Sequence, residues 1–405
     1  MERLARRLGV PDAVVIGLGS MLGAGVFVVF APAASAAGGA GLLVALALAG
    51  FIAFCNAISS ARLAARYPES GGTYVYGRER LHPFAGFVAG WGFVVGKTAS
   101  CAAMALTVGA YLWPGQARLV AVGAVVAVTA VNLRGIGKTA TATRVLVAVV
   151  LTVLSVVAVT GAPQVATDRL TGVADVGTHG VLTAAGLLFF AFAGYARIAT
   201  LGEEVRDPER TIGRAVPLAL GAVLAIYLTL AVVALGVLGP GRLAASTAPL
   251  VDVVTAAGRP GLAWLVRAGA TVAVTGVLLS LLAGIGRTTL AMARRRDLPG
   301  ALAAVHPRHR VPHRAELAVA AVVIVVVALA DVRGAIGFSS FTVLVYYAIT
   351  NASALTLGPS LLAALGLVGC LVLAASLPLP SVLAGFGVLA LGAAWYAVRH
   401  TARAT

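Results

Sequence analysis

Long runs of apolar residues, separated by short polar stretches, are the dominant pattern of this chain. A helix needs about 20 apolar residues to cross the ~30 Å hydrocarbon core of a bilayer, because each residue adds about 1.5 Å of rise. Twelve runs reach or approach that length, and they predict twelve membrane-spanning helices. The predicted spans are residues 11–35, 40–62, 84–113, 118–134, 144–162, 180–203, 214–238, 261–287, 316–330, 336–357, 359–377 and 380–398.

The composition favours a membrane protein over a soluble one. Of the 405 residues, 60% are hydrophobic and 11% are charged, whereas soluble domains are about 25% charged. So few polar residues cannot coat a soluble surface, which excludes a cytoplasmic enzyme, a disordered chain and a disulfide scaffold. The cysteines Cys55, Cys101 and Cys370 all fall within predicted spans, where cysteine behaves as a small apolar residue.

The net charge of +16 suggests nucleic acid binding, but the placement of the basic residues explains it otherwise. Most of the 30 Lys and Arg residues fall in alternate loops, on the side of the N-terminus. This asymmetry follows the positive-inside rule and predicts that both termini are cytoplasmic. We therefore expect a multi-pass protein of the cytoplasmic membrane with no nucleic acid partner, in which the N-terminal apolar run is an uncleaved first span.

Two predicted spans contain glycines near their centres. The first reads VVIGLGSMLGAGVFVVFAP and the sixth reads LLFFAFAGYARIATLGEEV, with Gly194 in its middle. A helix broken at this depth frees peptide N–H groups for a carboxylate and C=O groups for an ammonium. Breaks in spans one and six are also equivalent positions of a five-plus-five inverted repeat. Tight helix packing through Gly19 and Gly23 explains the first motif equally well, so spacing alone leaves both interpretations open.

Five segments, two of which overlap these spans, carry a family resemblance. They are GSMLGAGVF, RYPESGGTYVYGRERLHPFAGFVAGW, VNLRGIGKTA, FFAFAGYARIATLGEEVRDPERTIGRAV and LAMARRRDLPGALAAVHPRHRVPHRAEL. In this order they resemble the amino acid/polyamine/organocation permeases, and among them the cationic-amino-acid-transporter-like branch. The resemblance implies an all-α integral membrane protein with the LeuT-type fold, discontinuous in spans one and six. It places a ten-helix core in residues 1–357, with repeats at about 11–162 and 180–357, and two accessory helices with a cytoplasmic tail in residues 358–405.

The resemblance also implies where a substrate binds. The backbone expected to hold its carboxylate is that of Ser20, Met21, Leu22, Gly23, Ala24 and Gly25. The backbone expected to take its amino group lies around Phe190, Ala191, Ala193 and Gly194. Phe192 and Tyr195 are expected to shape or gate the pocket.

Two departures from the family pattern limit what the resemblance implies. Ala196 stands where many relatives carry a carboxylate, so specificity for cationic side chains does not carry over. Val150 stands where proton-coupled relatives carry a lysine, so their coupling mechanism does not carry over either.

Lys97 lies about 13 residues into span three, ~20 Å from its inner end. A lysine at that depth costs at least about 2.5 kcal/mol on insertion scales, and an ionisable group inside the membrane is a functional hypothesis by default. We interpret Lys97 as a candidate coupling group that replaces the lysine missing at Val150. The alternative is a structural ammonium bonded to the carbonyls of broken helices.

Charged residues follow the sixth span. Arg197 can pair with Glu203 or Glu204, one to two turns further along, and the three are candidates for an ion pair or an inner gate. A solvated loop is an equally good interpretation.

A metal site is not predicted in the loop that holds His306, His309 and His313. Prolines interrupt any helix there, and no cysteine or acidic ligand lies close in sequence.

The sequence predicts a transporter rather than an enzyme. It contains no phosphate-binding Gly-x-x-x-x-Gly-Lys motif and no catalytic constellation within the spans, so neither ATP-driven transport within the chain nor a cofactor is expected. We expect a secondary active transporter that carries amino acids inward with protons. An exchanger, or a permease for polyamines or small amines, is the alternative within the class. A non-transporting sensor or channel is the alternative from another class, although neither rings of charge nor a filter sequence is present.

Overall fold

The protein folds almost entirely into helices. The computed structural model describes residues 8–67, 71–135, 140–171, 177–199 and 205–401. The helices are α1 (Val10–Met21), α2 (Ala24–Val28), α3 (Phe30–Arg66), α4 (Thr73–Arg80), α5 (Pro83–Leu112), α6 (Ala117–Leu133), α7 (Ala140–Gly161), α8 (Asp168–Thr171), α9 (Gly177–Phe192), α10 (Ala196–Ala199), α11 (Pro208–Ala245), α12 (Pro249–Ala256), α13 (Ala263–Arg294), α14 (His313–Leu329), α15 (Val332–Leu355), α16 (Leu361–Ser376) and α17 (Leu379–Thr401).

Each predicted span corresponds to one of these helices or to several in series. Ten stretches of the described chain are long and apolar enough to cross a membrane. The ninth and eleventh predicted spans are the shorter helices α14 and α16, of 17 and 16 residues. Large apolar side chains point outward from the bundle; Leu119, Val159, Leu329 and Leu361 are each at least 70% exposed. Exposed apolar side chains on this scale are typical of a surface that faces lipid.

A single glycine separates the first two spans. Gly38 has φ 65° and ψ −151° inside α3, a conformation that residues with a Cβ rarely adopt. The first span therefore runs through α1 and α2 into the start of α3, and the second span is the rest of α3. Gly239, with φ 73°, likewise kinks α11 at the end of the seventh span, which explains why this helix is longer than predicted.

The contacts of the first span correspond to those of the sixth. The first span, at α1, packs against α7 and α11, which are spans five and seven. The sixth span, at α9, packs against α15 and α3, which are spans ten and two. If span one is taken as equivalent to span six, span two to span seven and span five to span ten, the contacts of span one become those of span six. The accessory helices pack on the outside of this set, α16 on α3 and α15, and α17 on α5 and α15.

A buried carboxylate connects three elements at the end of the bundle that carries the N-terminus. Asp297 follows α13 and is 4% exposed. Its Oδ2 atom accepts hydrogen bonds from the Tyr74 hydroxyl at 2.6 Å and the Arg78 guanidinium at 3.0 Å, both on α4. Its carbonyl accepts one from Trp395 Nε1 of α17 at 2.9 Å. Burial and the Asp297 carboxylate raise the pKa of Tyr74, so the Tyr74 hydroxyl remains a donor at neutral and mildly alkaline pH.

Replacing Asp297 should therefore lower the stability of the purified protein. Asp297→Asn removes the charge from an oxygen that accepts two hydrogen bonds, and we expect the free energy of unfolding to fall by about 2–3 kcal/mol. Thermal unfolding in detergent measures the loss. The matched control is Glu79→Gln, which changes an exposed carboxylate on α4; equal unfolding midpoints for the two variants would contradict the role given to Asp297.

Candidate functional site

The first span is interrupted at Leu22 and Gly23, where the glycine pattern predicts a break. α1 ends at Met21, and Leu22 leaves the helical region with φ −77° and ψ 52°. Gly23 follows with φ −111° and ψ −141°, and α2 begins at Ala24. The first N–H groups of a helix have no acceptor within it. The start of α2 therefore presents peptide N–H groups at the interruption, in the middle of the span.

The sixth span changes helix type instead of unwinding. α9 ends at Phe192, the residues Ala193–Tyr195 form a 3-10 turn, and α10 continues from Ala196. Phe192 and Ala196, on either side of the turn, keep right-handed helical backbone angles. The discontinuity predicted at Gly194 is thus present as a tightened turn, which takes carbonyl groups out of the regular α-helical ladder.

Glycines bring the two interrupted spans into backbone contact. A Cβ added to Gly25 would lie 2.5 Å from Cα of Ala191. A Cβ added to Gly194 would overlap the carbonyl group of Ser20. Tight packing, the alternative explanation of the glycines, therefore accompanies the interruption of the first span. The interruption and the tight packing therefore occur at the same place in the bundle.

Tyr227 of α11 connects the same two segments from the side. Its hydroxyl lies 2.6 Å from the carbonyl oxygen of Met21, to which it donates, and 3.1 Å from that of Ala191. Its ring meets Phe192 edge-on, with centroids 5.2 Å apart. The two carbonyls belong to the ends of α1 and α9, and the carbonyl of Met21 also accepts the Gly23 N–H at 2.8 Å. Tyr227 therefore occupies acceptors of the kind that an ammonium group would use. Sequence reasoning missed it, and the only signal was a hydroxyl-bearing ring in an apolar span.

The other predicted site residues lie around this contact with their side chains buried. Met21, Leu22 and Ala24 are at most 2% exposed, and Phe190 is 8% exposed. The Ser20 hydroxyl donates to a carbonyl of its own helix, that of Ile16, at 2.9 Å. The site consequently presents backbone groups rather than free polar side chains.

Tyr195 contacts the tenth span. Its ring centroid lies 5.1 Å from that of Tyr347 on α15, and its buried hydroxyl has no hydrogen-bond partner among the described residues. A role in gating would therefore act through the tenth span.

The first span is held on both sides of the interruption. Towards the N-terminus, Asp12 pairs with Arg144 at the start of α7. Towards the other end, the Tyr111 hydroxyl of α5 donates to the carbonyl of Phe27 at 2.6 Å, and Arg267 of α13 donates to the Tyr111 carbonyl at 2.9 Å.

Lys97 lies inside the bundle. It is 8% exposed and makes no hydrogen bond or ion pair with any residue that the structure describes. Seven residues make about two helical turns, so Gly90 and Tyr111 lie on the same face of α5 as Lys97. These two contact Met292 and Arg267 of α13, respectively. This face of α5 therefore meets α13 and, through the Tyr111 hydroxyl, α2. The alternative bonds from Lys97 to broken-helix carbonyls are not formed among the described residues.

The predicted ion pair after the sixth span is only partly within the described chain. Arg197 lies in α10 with an exposed side chain. Glu203 and Glu204, its predicted partners, lie outside the described residues.

Comparison with known proteins identifies the family. A family model for amino acid permeases matches residues 12–374, nearly the whole chain. The chain belongs to the amino acid permease family. It is therefore a transporter and not an enzyme. An uncharacterized transporter of Mycobacterium tuberculosis is 64% identical over 98% of this permease and 92% of its own length.

More distant relatives differ in the substrates that their names give. A methylthioribose transporter of Bacillus subtilis is 26% identical over 77% of this permease and 72% of its own length. A vacuolar cationic amino acid transporter of Arabidopsis thaliana is 27% identical over 78% of this permease and 57% of its own length. The amino acid permeases have the LeuT-like fold, so the family and the fold class predicted from the motifs are confirmed.

Substituting Gly194 tests the contact between the two interrupted spans. Gly194→Ala places a methyl group against the Ser20 backbone, which cannot move aside as a flexible side chain can. We expect the free energy of unfolding to fall by about 1–3 kcal/mol. Gly221→Ala is the control, because no atom lies within 4 Å of the added Cβ and alanine is favoured over glycine in a helix by about 0.5–1 kcal/mol. Shifts of equal sign for the two variants, measured by thermal unfolding, would contradict the contact.

Proposed function

We propose that this permease is a secondary active transporter that moves amino acids across the cytoplasmic membrane by alternating access, coupled to protons. The observation that carries the proposal is the interruption at Leu22 and Gly23, which lies against the 3-10 turn of the sixth span. It supplies free peptide N–H groups at the start of α2 beside two carbonyls at the ends of α1 and α9. The peptide N–H groups suit a carboxylate, and the carbonyl groups suit an ammonium.

The roles of the site residues follow from this arrangement. The peptide groups of residues 20–25 receive the substrate carboxylate, and those of residues 190–194 receive its ammonium. Tyr227, whose hydroxyl donates to the carbonyl of Met21 at 2.6 Å, marks the position at which the ammonium binds. Phe192 and Tyr195 close the pocket through the rings that they contact on α11 and α15.

The corresponding contacts of spans one and six support alternation between two conformations. Residues 1–357 form the transporting core, with repeats at about 11–162 and 180–357, and residues 358–405 form the accessory part. Contacts of the first span, Asp12 with Arg144 at one end and Tyr111 with Phe27 at the other, are the bonds that the two conformations break in turn. The asymmetry of the basic residues supports a cytoplasmic location for the first of these ends and for both termini.

Lys97 is the coupling group in this scheme. An ammonium group within the bilayer that has no hydrogen bond or ion pair among the described residues is energetically costly. Release of its proton converts it to a neutral amine, the form that burial favours. The face of α5 that carries Lys97 meets α13, the span whose Val277 contacts the interruption at Gly23. Loss and uptake of the proton would therefore accompany movement of the eighth span relative to the first.

Binding of substrate analogues tests the recognition of a zwitterion. We expect an amino acid to raise the unfolding temperature of the purified permease, because saturation at 100 times the dissociation constant contributes about 2.7 kcal/mol. The methyl ester of the same amino acid and the amine formed by its decarboxylation should have at least about tenfold lower affinity, because each leaves peptide N–H groups without an anionic partner. A thermal-shift series over the twenty amino acids and several polyamines identifies the preferred side chain.

Uptake into proteoliposomes then separates the mechanisms. Accumulation driven by a pH gradient is expected of a proton symporter, whereas uptake only in exchange for internal amino acid would indicate an exchanger. Stronger binding of the decarboxylated amine than of the amino acid would reject amino acids in favour of amines, and flux that does not saturate would indicate a channel.

Substitution of Lys97 tests the coupling. Lys97→Met removes the titratable group, so we expect uptake driven by a pH gradient to fall at least about tenfold while exchange of labelled for unlabelled substrate continues. Lys97→Arg keeps a permanent charge and should also lose the response to the gradient. If Lys97 is only a structural ammonium, uptake by the arginine variant should still respond to the pH gradient. That result would reject the role of Lys97 in coupling.

A further inference from the structure

Glu316 is a second buried ionisable residue, remote from the interrupted spans. It lies in the first turn of α14 and is 4% exposed. Its Oε2 atom is buried and has no hydrogen-bond partner among the described residues. An unpaired carboxylate in such a place costs several kcal/mol as an ion. It is stable when it carries a proton or when a cation neutralises it.

Two more buried polar atoms without hydrogen-bond partners in the described structure belong to residues one helical turn from the contact of Glu316 with α13. His313 Nδ1 and Thr289 Oγ1 are also buried and lack hydrogen-bond partners in the described chain. His313 precedes Glu316 by three residues in α14, so the two share a helix face, and the ring of His306 contacts His313 at a centroid distance of 5.5 Å. Glu316 packs on Gly286 of α13, where an added Cβ would lie 2.7 Å from the glutamate Cγ. Because α13 and α14 run antiparallel, Thr289, one turn beyond Gly286, lies level with His313.

The helices packed against α14 offer few charges to this group. They carry Arg287 and Arg294 on α13, Lys97 on α5 and Arg134 at the end of α6. Arg287 acts on Glu316 electrostatically, but its side chain is exposed. None of the four forms an ion pair with Glu316 in the described structure. A neutralising side chain is therefore missing.

We propose that Glu316, His313 and Thr289 form a buried proton-binding site at the contact between α13 and α14, with the carboxyl group of Glu316 protonated. A protonated carboxyl group has one O–H to donate, and either the imidazole nitrogen or the threonine hydroxyl can accept it after a change of side-chain rotamer, because the three atoms form no hydrogen bond with one another in the described structure. Zinc fits less well, because it takes four ligands from cysteine, histidine and carboxylate groups and this cluster supplies one carboxylate and one imidazole. Loss of the proton places a charge between the two helices, so their packing depends on pH.

Labelling with dicyclohexylcarbodiimide tests the proposal, because this apolar reagent reacts with protonated carboxyl groups. The full-length permease in liposomes is labelled across a range of pH, and mass spectrometry of its peptides locates the modified residues. We expect labelling of Glu316 that decreases about tenfold per pH unit once the site titrates. Asp297, equally buried but paired with Arg78, should remain unlabelled. His313→Gln should shift the pH at which labelling of Glu316 declines.

A stability measurement provides a second readout. Glu316→Gln replaces the protonated acid by a neutral amide of the same shape, so its unfolding temperature at acidic pH should equal that of the wild type. The wild type should lose stability relative to this variant as the pH rises. If Glu316 is instead an ion stabilised by Arg287, then Glu316→Gln and Arg287→Gln both lower the unfolding temperature at acidic and neutral pH. That result, or the absence of label on Glu316 at every pH, would overturn the proposal.

Discussion

Every peptide group inside a bilayer needs a hydrogen-bond partner from the protein or its ligand, and the first span departs from the helical ladder at Leu22 and Gly23. On the carbonyl side of this interruption, the protein supplies its own donors to Met21, the N–H group of Gly23 and the hydroxyl of Tyr227. On the N–H side, α2 begins with groups that its own helix does not satisfy. The site is therefore asymmetric before any substrate arrives, with acceptors that are occupied by a neutral hydroxyl and donors that suit an anion. The rest of the core positions these few peptide groups.

Buried charge has two different roles in this fold. Asp297 receives hydrogen bonds from Tyr74 and Arg78 and fastens α4 to the loop after α13. Such a satisfied carboxylate stabilises one arrangement of helices. Lys97 and Glu316 are as deeply buried, yet neither has a hydrogen bond or ion pair to neutralise it in the described structure. Groups of this second kind can change protonation without breaking a bond, which suits them to processes that depend on pH.

Much of the fold could be predicted from the sequence, because each span must be long and apolar and each cluster of glycines indicates a helix break or a close helix contact. The glycine spacing left the interruption of the first span and tight packing equally open, and the family resemblance implied the interruption. The burial of Lys97 follows from its depth within the third span. The turn at Gly38 could not be predicted, since it depends on a backbone angle that a glycine allows but does not require. The same holds for Gly194, where the sixth span tightens and keeps its course. Tyr227 was missed because one tyrosine in an apolar span reveals neither its direction nor the carbonyls that it meets.

The most direct test of the central claim is a structure of the permease with its amino acid bound. The account predicts the substrate carboxylate within about 2.7–3.2 Å of peptide nitrogens at the start of α2. It predicts the ammonium on the carbonyls of Met21 and Ala191, with the hydroxyl of Tyr227 moved off at least one of them. A bound amino acid held by side chains elsewhere in the bundle, or a first span that is continuous through Gly23, would contradict it.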